Sequence, residues 1–150
     1  MLDGKTVAVV VPAHNEAGQI GIVLDTMPDF VDRIVVVNDN STDQTAQEVR
    51  QRQAEAPPAV AIQPRPQEIE PTLFNMADRV VLEMRREERA LYPKHEVEPA
   101  SPTDRIILIN NLENGKVGGA IANGYLWARD HGIDCTAVMA GDAQMDPAEL

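Results

Sequence analysis

The sequence predicts an α/β fold in which helices flank a largely parallel sheet. Short runs rich in valine and isoleucine alternate along the chain with segments whose apolar residues recur at helical spacing. Several of these runs are apolar at consecutive residues, which is typical of strands buried on both faces of a parallel sheet. With 150 residues, the chain has the usual size of a single domain, and we expect one.

The first third of the chain contains two predicted strand–helix units. The strands are residues 5–11 (KTVAVVV) and 33–37 (RIVVV). A crossover helix is predicted over residues 16–27, where apolar residues recur at helical spacing before a proline. Residues 41–44 (STDQ) have the form of a capping box, which predicts a second helix that runs to about Ala54.

A proline-rich segment separates these units from the rest of the sheet. Residues 55–104 are expected to form an insertion with loose flanks around one helix at about 73–91. The strand pattern resumes at residues 105–110 and again at 135–139. A helix is predicted between these two strands, over residues 117–131.

Two helix boundaries are marked by residues with clear preferences. Gly132 is expected to close the helix before the last strand, since glycine is favoured just after a helix. Asp146 and Pro147 have the form of an N-cap followed by proline at the first helical position. A helix that begins there would continue past Leu150, so we expect the 150 residues to be part of a longer protein.

Composition excludes several classes of function. The net charge of −11 disfavours nucleic acid as a partner, because that binding depends on neutralising phosphates. The single cysteine, Cys135, excludes a disulfide framework and is expected to be a buried structural thiol. His95 and His131 lack the spacing of metal ligands. No signal peptide or apolar stretch of membrane-spanning length is present, so we expect a cytoplasmic location, including the cytoplasmic face of a membrane.

Polar loops follow the four long predicted strands: residues 12–16 (PAHNE), 38–43 (NDNSTD), 114–119 (NGKVGG) and 141–146 (GDAQMD). Because ligands bind at the carboxyl ends of strands in doubly wound sheets, we expect these loops to converge on one rim.

The chemistry of the loops favours a nucleotide with a metal-bridged diphosphate. Asp39 and Asp142 can accept hydrogen bonds from a base or ribose and can bind a divalent cation. Lys116 and the N–H groups of its glycine-rich turn suit a phosphate. The sequence lacks both GxxxxGK[ST] and a GxGxxG after the first strand, which disfavours P-loop NTPases and dinucleotide dehydrogenases.

Four motifs in this order resemble the signatures of family 2 glycosyltransferases, which have the GT-A fold. They are VVVPAHNEA, VVVNDNSTDQT, NGKVGGAIANG and VMAGDAQMDPAEL, and they span nearly the whole chain except residues 55–104. The likeness is greatest to the branch similar to dolichyl- and polyprenyl-phosphate sugar synthases. It implies metal-assisted transfer of a sugar from a UDP- or GDP-linked donor to an acceptor such as a polyprenyl phosphate or a glycan.

The resemblance also implies roles for individual residues. Asp142 would hold Mg²⁺ or Mn²⁺ against the donor diphosphate, with Asp146 beside it as a second metal candidate. Membrane contact would come only through other parts of the protein or through partners. The residues implied to bind the nucleotide sugar are Pro12, Ala13, Asn15, Glu16, Asp39, Lys116 and Asp142.

The sequence departs from the family pattern at two positions. Ala140 replaces the first acid of the DXD-like motif, and Asn38 stands where an aspartate is common. The general base would lie beyond Leu150, so the catalytic residues of this chain stay unassigned. A nucleotide-sugar-binding module without turnover is therefore the alternative. A sugar nucleotidyltransferase is a third reading, although residues 12–16 lack its glycine-rich basic loop.

Several of these polar residues also have purely structural explanations. Asp146 can be a plain N-cap, and the side chains of residues 42–44 can be capping groups. Glu16 can favour a helix N-terminus through the helix dipole, and His14 can be an ordinary polar loop residue.

Overall fold

The structure of the chain is a computed structural model that describes residues 1–66 and 68–150. Its strands are β1 (Val7–Ala13), β2 (Arg33–Asn38), β3 (His95–Val97), β4 (Ile106–Asn111) and β5 (Cys135–Val138). They form one sheet in the order β3-β4-β2-β1-β5, in which β1, β2, β4 and β5 are parallel and β3 is antiparallel. This mixed α/β architecture with a mostly parallel sheet confirms the predicted fold class.

Both faces of the sheet are covered by helices. The α-helices are α1 (Ile20–Asp25), α2 (Thr45–Glu55), α3 (Met76–Arg89) and α4 (Lys116–Asp130), and a 3₁₀ turn follows at Pro147–Glu149. Residues alternate in direction along a strand, so the apolar runs of β1, β2 and β4 supply two separate cores. Val9 and Val36 pack with α1 and α2, whereas Val10 and Val35 pack with α4.

Helix α1 begins four residues later than predicted. The residues before it form a turn instead, which is hydrogen-bonded to the start of α2 and to the loop before it. Gly18 has φ +85°, which a helix excludes. The backbone N–H of Glu16 donates to Thr45 Oγ1 at 2.9 Å, and that of Ala17 donates to an Asp43 carboxylate oxygen at 3.1 Å. These amides therefore stabilise a loop–loop contact instead of a first helical turn.

The predicted capping box is wrong. Ser41 Oγ accepts a hydrogen bond from the backbone N–H of Asn15, and the Gln44 side chain makes no capping hydrogen bond. Asp43 accepts from the Thr45 backbone N–H at 2.9 Å, so α2 begins at Thr45. The other two marked boundaries are confirmed: Gly132 follows α4 with φ +69°, and Asp146 caps the short 3₁₀ turn.

The insertion contains the predicted helix and an additional strand. Helix α3 has no buried residue, and its polar side holds it to the end of α4 through the ion pairs Arg89–Asp130 and Glu88–Arg129. Strand β3 was not predicted, since its three residues have little pattern of their own and are extended by pairing with β4.

Cys135 is exposed, which corrects the expected buried thiol. It begins β5, which is the edge strand beside β1 in the part of the chain that the structure describes. The apolar residues next to Cys135 in the sequence therefore do not ensure that its side chain is buried. Among the described residues, no helix has both the length and the apolar character needed to cross a membrane.

Candidate functional site

The loops that follow the four parallel strands meet at one edge of the sheet, as predicted. His14 Nδ1, after β1, lies 2.8 Å from the carbonyl oxygen of Asp39, after β2. Asp39 Oδ1 in turn accepts a hydrogen bond from the backbone N–H of Gly115, after β4, at 2.8 Å. The Glu16 carboxylate contacts Gly141, after β5.

Asn15 links the first two loops. It has φ +57°, its backbone N–H donates to Ser41 Oγ at 3.0 Å, and its Oδ1 accepts from the Thr42 backbone N–H at 2.8 Å. Asn15 is exposed, and its side chain holds the two loops together at the rim. Its predicted neighbours Pro12 and Ala13 are buried at the end of β1, where they pair with Val37 and Asn38 of β2.

Asp39 is the most enclosed of the charged residues predicted at the site, with 3% of its surface exposed. Its Oδ1 accepts from Asn111 Nδ2 at 2.7 Å as well as from the Gly115 backbone N–H. These two donors hold one carboxylate oxygen in place at the junction of β2, β4 and the glycine-rich turn. The sequence reasoning missed Asn111, although a pair of asparagines ending an apolar strand was an available signal.

Glu16 and Asp142 come together on the side of the rim near β5. Glu16 Oε2 is buried and has no hydrogen-bond partner among the described residues. Burial of the carboxyl, together with the nearby negative charge of Asp142, raises the pKa of Glu16 to about 7. Asp142 is half-buried, and its Oδ1 accepts from the Gln144 backbone N–H at 3.1 Å. A protonated carboxyl or a bound cation would relieve this repulsion.

The acidic rim fits a divalent cation only in part. Within the described residues, no three His, Cys, Asp or Glu side chains are grouped so that they could hold a metal ion. Asp146 is exposed and is used as a cap that accepts from the Ala148 backbone N–H at 2.9 Å. Asp142 lies near the unpartnered oxygen of Glu16. Proteins commonly bind Mg²⁺ through one or two such carboxylates, with water and phosphate oxygens as the other ligands.

Lys116 supplies a positive charge at the opposite side of the rim. It is exposed at the first residue of α4 and has φ +57°, and its backbone N–H donates to Asn114 Oδ1 at 3.0 Å. The preceding residue, Gly115, is the one bonded to Asp39. The structure thus brings the lysine turn next to Asp39.

A family model matches part of the chain. Residues 8–68 match glycosyl transferase family 2. The family 2 match covers less than half of the chain, and it includes β1 from Ala8 onward, β2 and the loops that follow them. Five predicted site residues lie inside the matched segment, namely Pro12, Ala13, Asn15, Glu16 and Asp39. Lys116, Asp142 and Asp146 lie outside it.

Solved structures similar to the chain include several of glucosyl-3-phosphoglycerate synthase from Mycobacterium tuberculosis. The complex with Mn²⁺, UDP and glucosyl-3-phosphoglycerate is 21% identical over 72% of this chain and 34% of that chain, with a TM-score of 0.29. The complex with Mn²⁺, UDP-glucose and phosphoglyceric acid is 24% identical over 65% of this chain and 34% of that chain, with the same TM-score of 0.29.

The chain therefore spans about a third of the length of these synthase structures. No curated protein matches the sequence.

Proposed function

We propose that the chain is the nucleotide-sugar-binding part of a family 2 glycosyltransferase with the GT-A fold. The observation that carries the proposal is that residues 8–68 match family 2 and contain β1 and β2, whose following loops meet at one rim. The turn after β4 joins this rim through the hydrogen bond from Gly115 to Asp39. The matched segment supplies the enclosed carboxylate of Asp39, and the rest of the chain adds Lys116 and Asp142.

In this proposal, each side of the rim binds a different part of the donor. Asp39, held through Oδ1, contacts the nucleoside, while Pro12 and Ala13 form the floor and Asn15 and Glu16 the wall of its pocket. Lys116 faces the diphosphate at the N-terminus of α4, because a cation and the start of a helix suit phosphate oxygens. The backbone N–H groups of Gly115 and Lys116 stabilise the turn itself, since they donate to Asp39 and Asn114.

Asp142 would hold Mg²⁺ or Mn²⁺, with Asp146 as the less supported second ligand because its side chain already caps a turn. Bound there, the metal would neutralise charge on the leaving nucleoside diphosphate. We propose UDP or GDP as the nucleotide and a polyprenyl phosphate or a glycan as the acceptor, at a cytoplasmic location. The proposal assigns neither the acceptor-binding groups nor the general base to residues of this chain.

Ala140 favours a second candidate, a nucleotide-sugar-binding module without turnover. It occupies the first acidic position of the DXD-like motif, which leaves one carboxylate where the family pattern has two. Such a module would bind donor stoichiometrically without transferring or hydrolysing the sugar. Product analysis separates the two candidates when it is made on a protein that also contains the acceptor-binding part, incubated with a UDP- or GDP-linked sugar, Mn²⁺ and an acceptor.

Calorimetric titration of the chain with UDP, GDP and CMP, with and without Mn²⁺, tests the proposal. We expect one nucleoside diphosphate to bind selectively, Asp39→Asn to weaken its binding at least tenfold, and Asp142→Asn to remove the benefit of Mn²⁺. Glu55→Gln removes one negative charge at the exposed far end of α2 and is the matched control. Absence of binding to every nucleotide, or equal losses in all three variants, would contradict the proposal.

A further inference from the structure

A relay of three hydrogen bonds connects the insertion to Asp39. The carbonyl oxygen of Pro93 accepts from Asn123 Nδ2 at 3.0 Å, and the same nitrogen donates to Asn111 Oδ1 at 2.8 Å. Asn111 Nδ2 then donates to Asp39 Oδ1 at 2.7 Å. The relay runs from the loop before β3, through α4 and β4, to the carboxylate at the rim.

The direction of every hydrogen bond in this relay is determined by the two groups at its ends. A proline carbonyl and a carboxylate can only accept, so each must face an amide nitrogen. Asn123 therefore turns its nitrogen toward Pro93 and Asn111, which places the oxygen of Asn111 toward Asn123 and its nitrogen toward Asp39. Rotating either amide by half a turn would bring two acceptors together.

This orientation leaves a cost that packing alone does not explain. Asn123 is fully buried, and its Oδ1 has no hydrogen-bond partner among the described residues. An unsatisfied buried acceptor destabilises the fold, and an apolar side chain at this position would avoid that cost. The arrangement is understandable if the amide is needed to orient Asn111.

The insertion packs closely against Gly115 and Gly119, in the glycine-rich turn and the first part of α4. A Cβ added to Gly119 would lie 2.9 Å from Pro93 Cγ, and one added to Gly115 would also overlap the proline ring. His95 Nδ1 lies 3.2 Å from the Pro93 carbonyl oxygen, at the start of β3. Pro93 is therefore held from both sides, which makes its carbonyl a stable anchor for Asn123.

We propose that Asn111 and Asn123 are positioning residues that orient Asp39 for the nucleotide, and that Pro93 of the insertion anchors them. This inference rests on the proposed function for its ligand. It gives the insertion a role in donor binding that does not require it to close over the site. Asp39 stays fixed through Oδ1, which leaves its other oxygen to contact the nucleoside.

The neighbouring residue on β4 offers a matched control. Asn110 Oδ1 accepts from Asn38 Nδ2 at 2.8 Å, and Asn110 Nδ2 donates to Glu98 Oε1 at 2.7 Å. It thus makes as many side-chain hydrogen bonds as Asn111 on the same strand, but none with Asp39. Asn110→Leu measures what a lost asparagine in β4 does to the fold in general.

The test compares Asn111→Leu, Asn123→Ala and Asn110→Leu with the original chain by two measurements. The first is amide hydrogen exchange at Gly115, whose N–H donates to Asp39, relative to Val36 in the middle of β2. The second is the affinity for UDP and GDP in the presence of Mn²⁺. We expect Asn111→Leu and Asn123→Ala to raise the exchange ratio and weaken nucleotide binding by about 3- to 10-fold, the loss of one net hydrogen bond.

Asn123→Ala is the decisive variant, because Asn123 reaches Asp39 only through Asn111. Unchanged exchange at Gly115 in this variant, or an equal change in Asn110→Leu, would overturn the relay. If the original chain binds neither nucleotide, the proposed function fails. The exchange ratio would still decide whether the relay holds Asp39, so the two failures are distinguishable.

Discussion

The carboxylate of Glu16 occupies the space that a side chain on residue 141 would need, so Gly141 and Glu16 depend on each other. A Cβ on residue 141 would overlap Glu16 Oε2 and would lie 3.1 Å from the carbonyl oxygen of Pro12. The Glu16 side chain can move away, but the carbonyl belongs to the buried strand β1. This contact couples the first loop of the rim to the loop that carries Asp142.

Gly141→Ala should therefore destabilise the protein. Overpacking at a buried position typically costs about 1–3 kcal/mol, and we expect the lower half of this range because Glu16 can move. Gly118→Ala is the control, since a Cβ there meets no atom within 4 Å. Urea unfolding of both variants measures the difference, and equal stability of the two variants would contradict the close contact.

Glu16→Gln should change how the stability depends on pH. The pKa of Glu16 is raised from 4.5 to about 7 in the folded protein, mainly by burial and then by the charge of Asp142, with Asp43 acting in the same direction and His14 in the opposite one. The folded state therefore binds the proton more tightly than the unfolded state does. The stability from this group is fully present below pH 4.5 and is lost as the pH rises through about 7.

The expected outcome is a Tm difference between Glu16→Gln and the original chain that becomes more favourable to the variant from pH 5 to pH 8. Because Glu16 is partly solvated, we expect a gain on the order of 1 kcal/mol at pH 8. Thermal unfolding at pH 5, 6, 7 and 8 measures it. A difference that does not vary with pH would show that Glu16 titrates normally.

Asp39→Ala should destabilise the fold as well as remove a ligand contact. The variant leaves Asn111 Nδ2 and the Gly115 backbone N–H without their acceptor. Two unsatisfied donors near the buried end of β2 should cost about 2–4 kcal/mol. Asp142→Ala frees only the Gln144 backbone N–H at the half-exposed rim and should cost less than about 1 kcal/mol. Chemical denaturation of the two variants provides the comparison.

Gly124→Ala tests the packing of α4 on β1. A Cβ at this buried position would overlap Val10 and would lie 2.8 Å from its Cγ2 atom. Alanine favours helices by about 1 kcal/mol over glycine, yet the clash with a β-branched side chain should outweigh this gain. We expect a lower Tm for Gly124→Ala and a higher Tm for Gly118→Ala on the same helix. Val10→Ala should restore part of the stability to Gly124→Ala.

The alternation of strands and helices was predictable because it depends on local patterns. Runs such as residues 7–11 are apolar at every position, and only a strand covered on both faces buries them all. The capping roles of Gly132 and Asp146 were predictable for the same reason, since a helix cap depends on interactions within a few residues. The convergence of the polar loops also followed from the sequence, because parallel strands bring their carboxyl ends to one edge.

The partners of the polar side chains were decided only by the tertiary structure. Ser41 does not cap α2, because its hydroxyl oxygen accepts a hydrogen bond from the backbone N–H of Asn15 in the neighbouring loop. Cys135 is exposed because its strand lies at an edge, which no local pattern reveals. Asn111 and Asn123 meet across elements whose separation in space depends on packing. A sequence determines which groups can donate and accept, but the distances between them depend on contacts far apart along the chain.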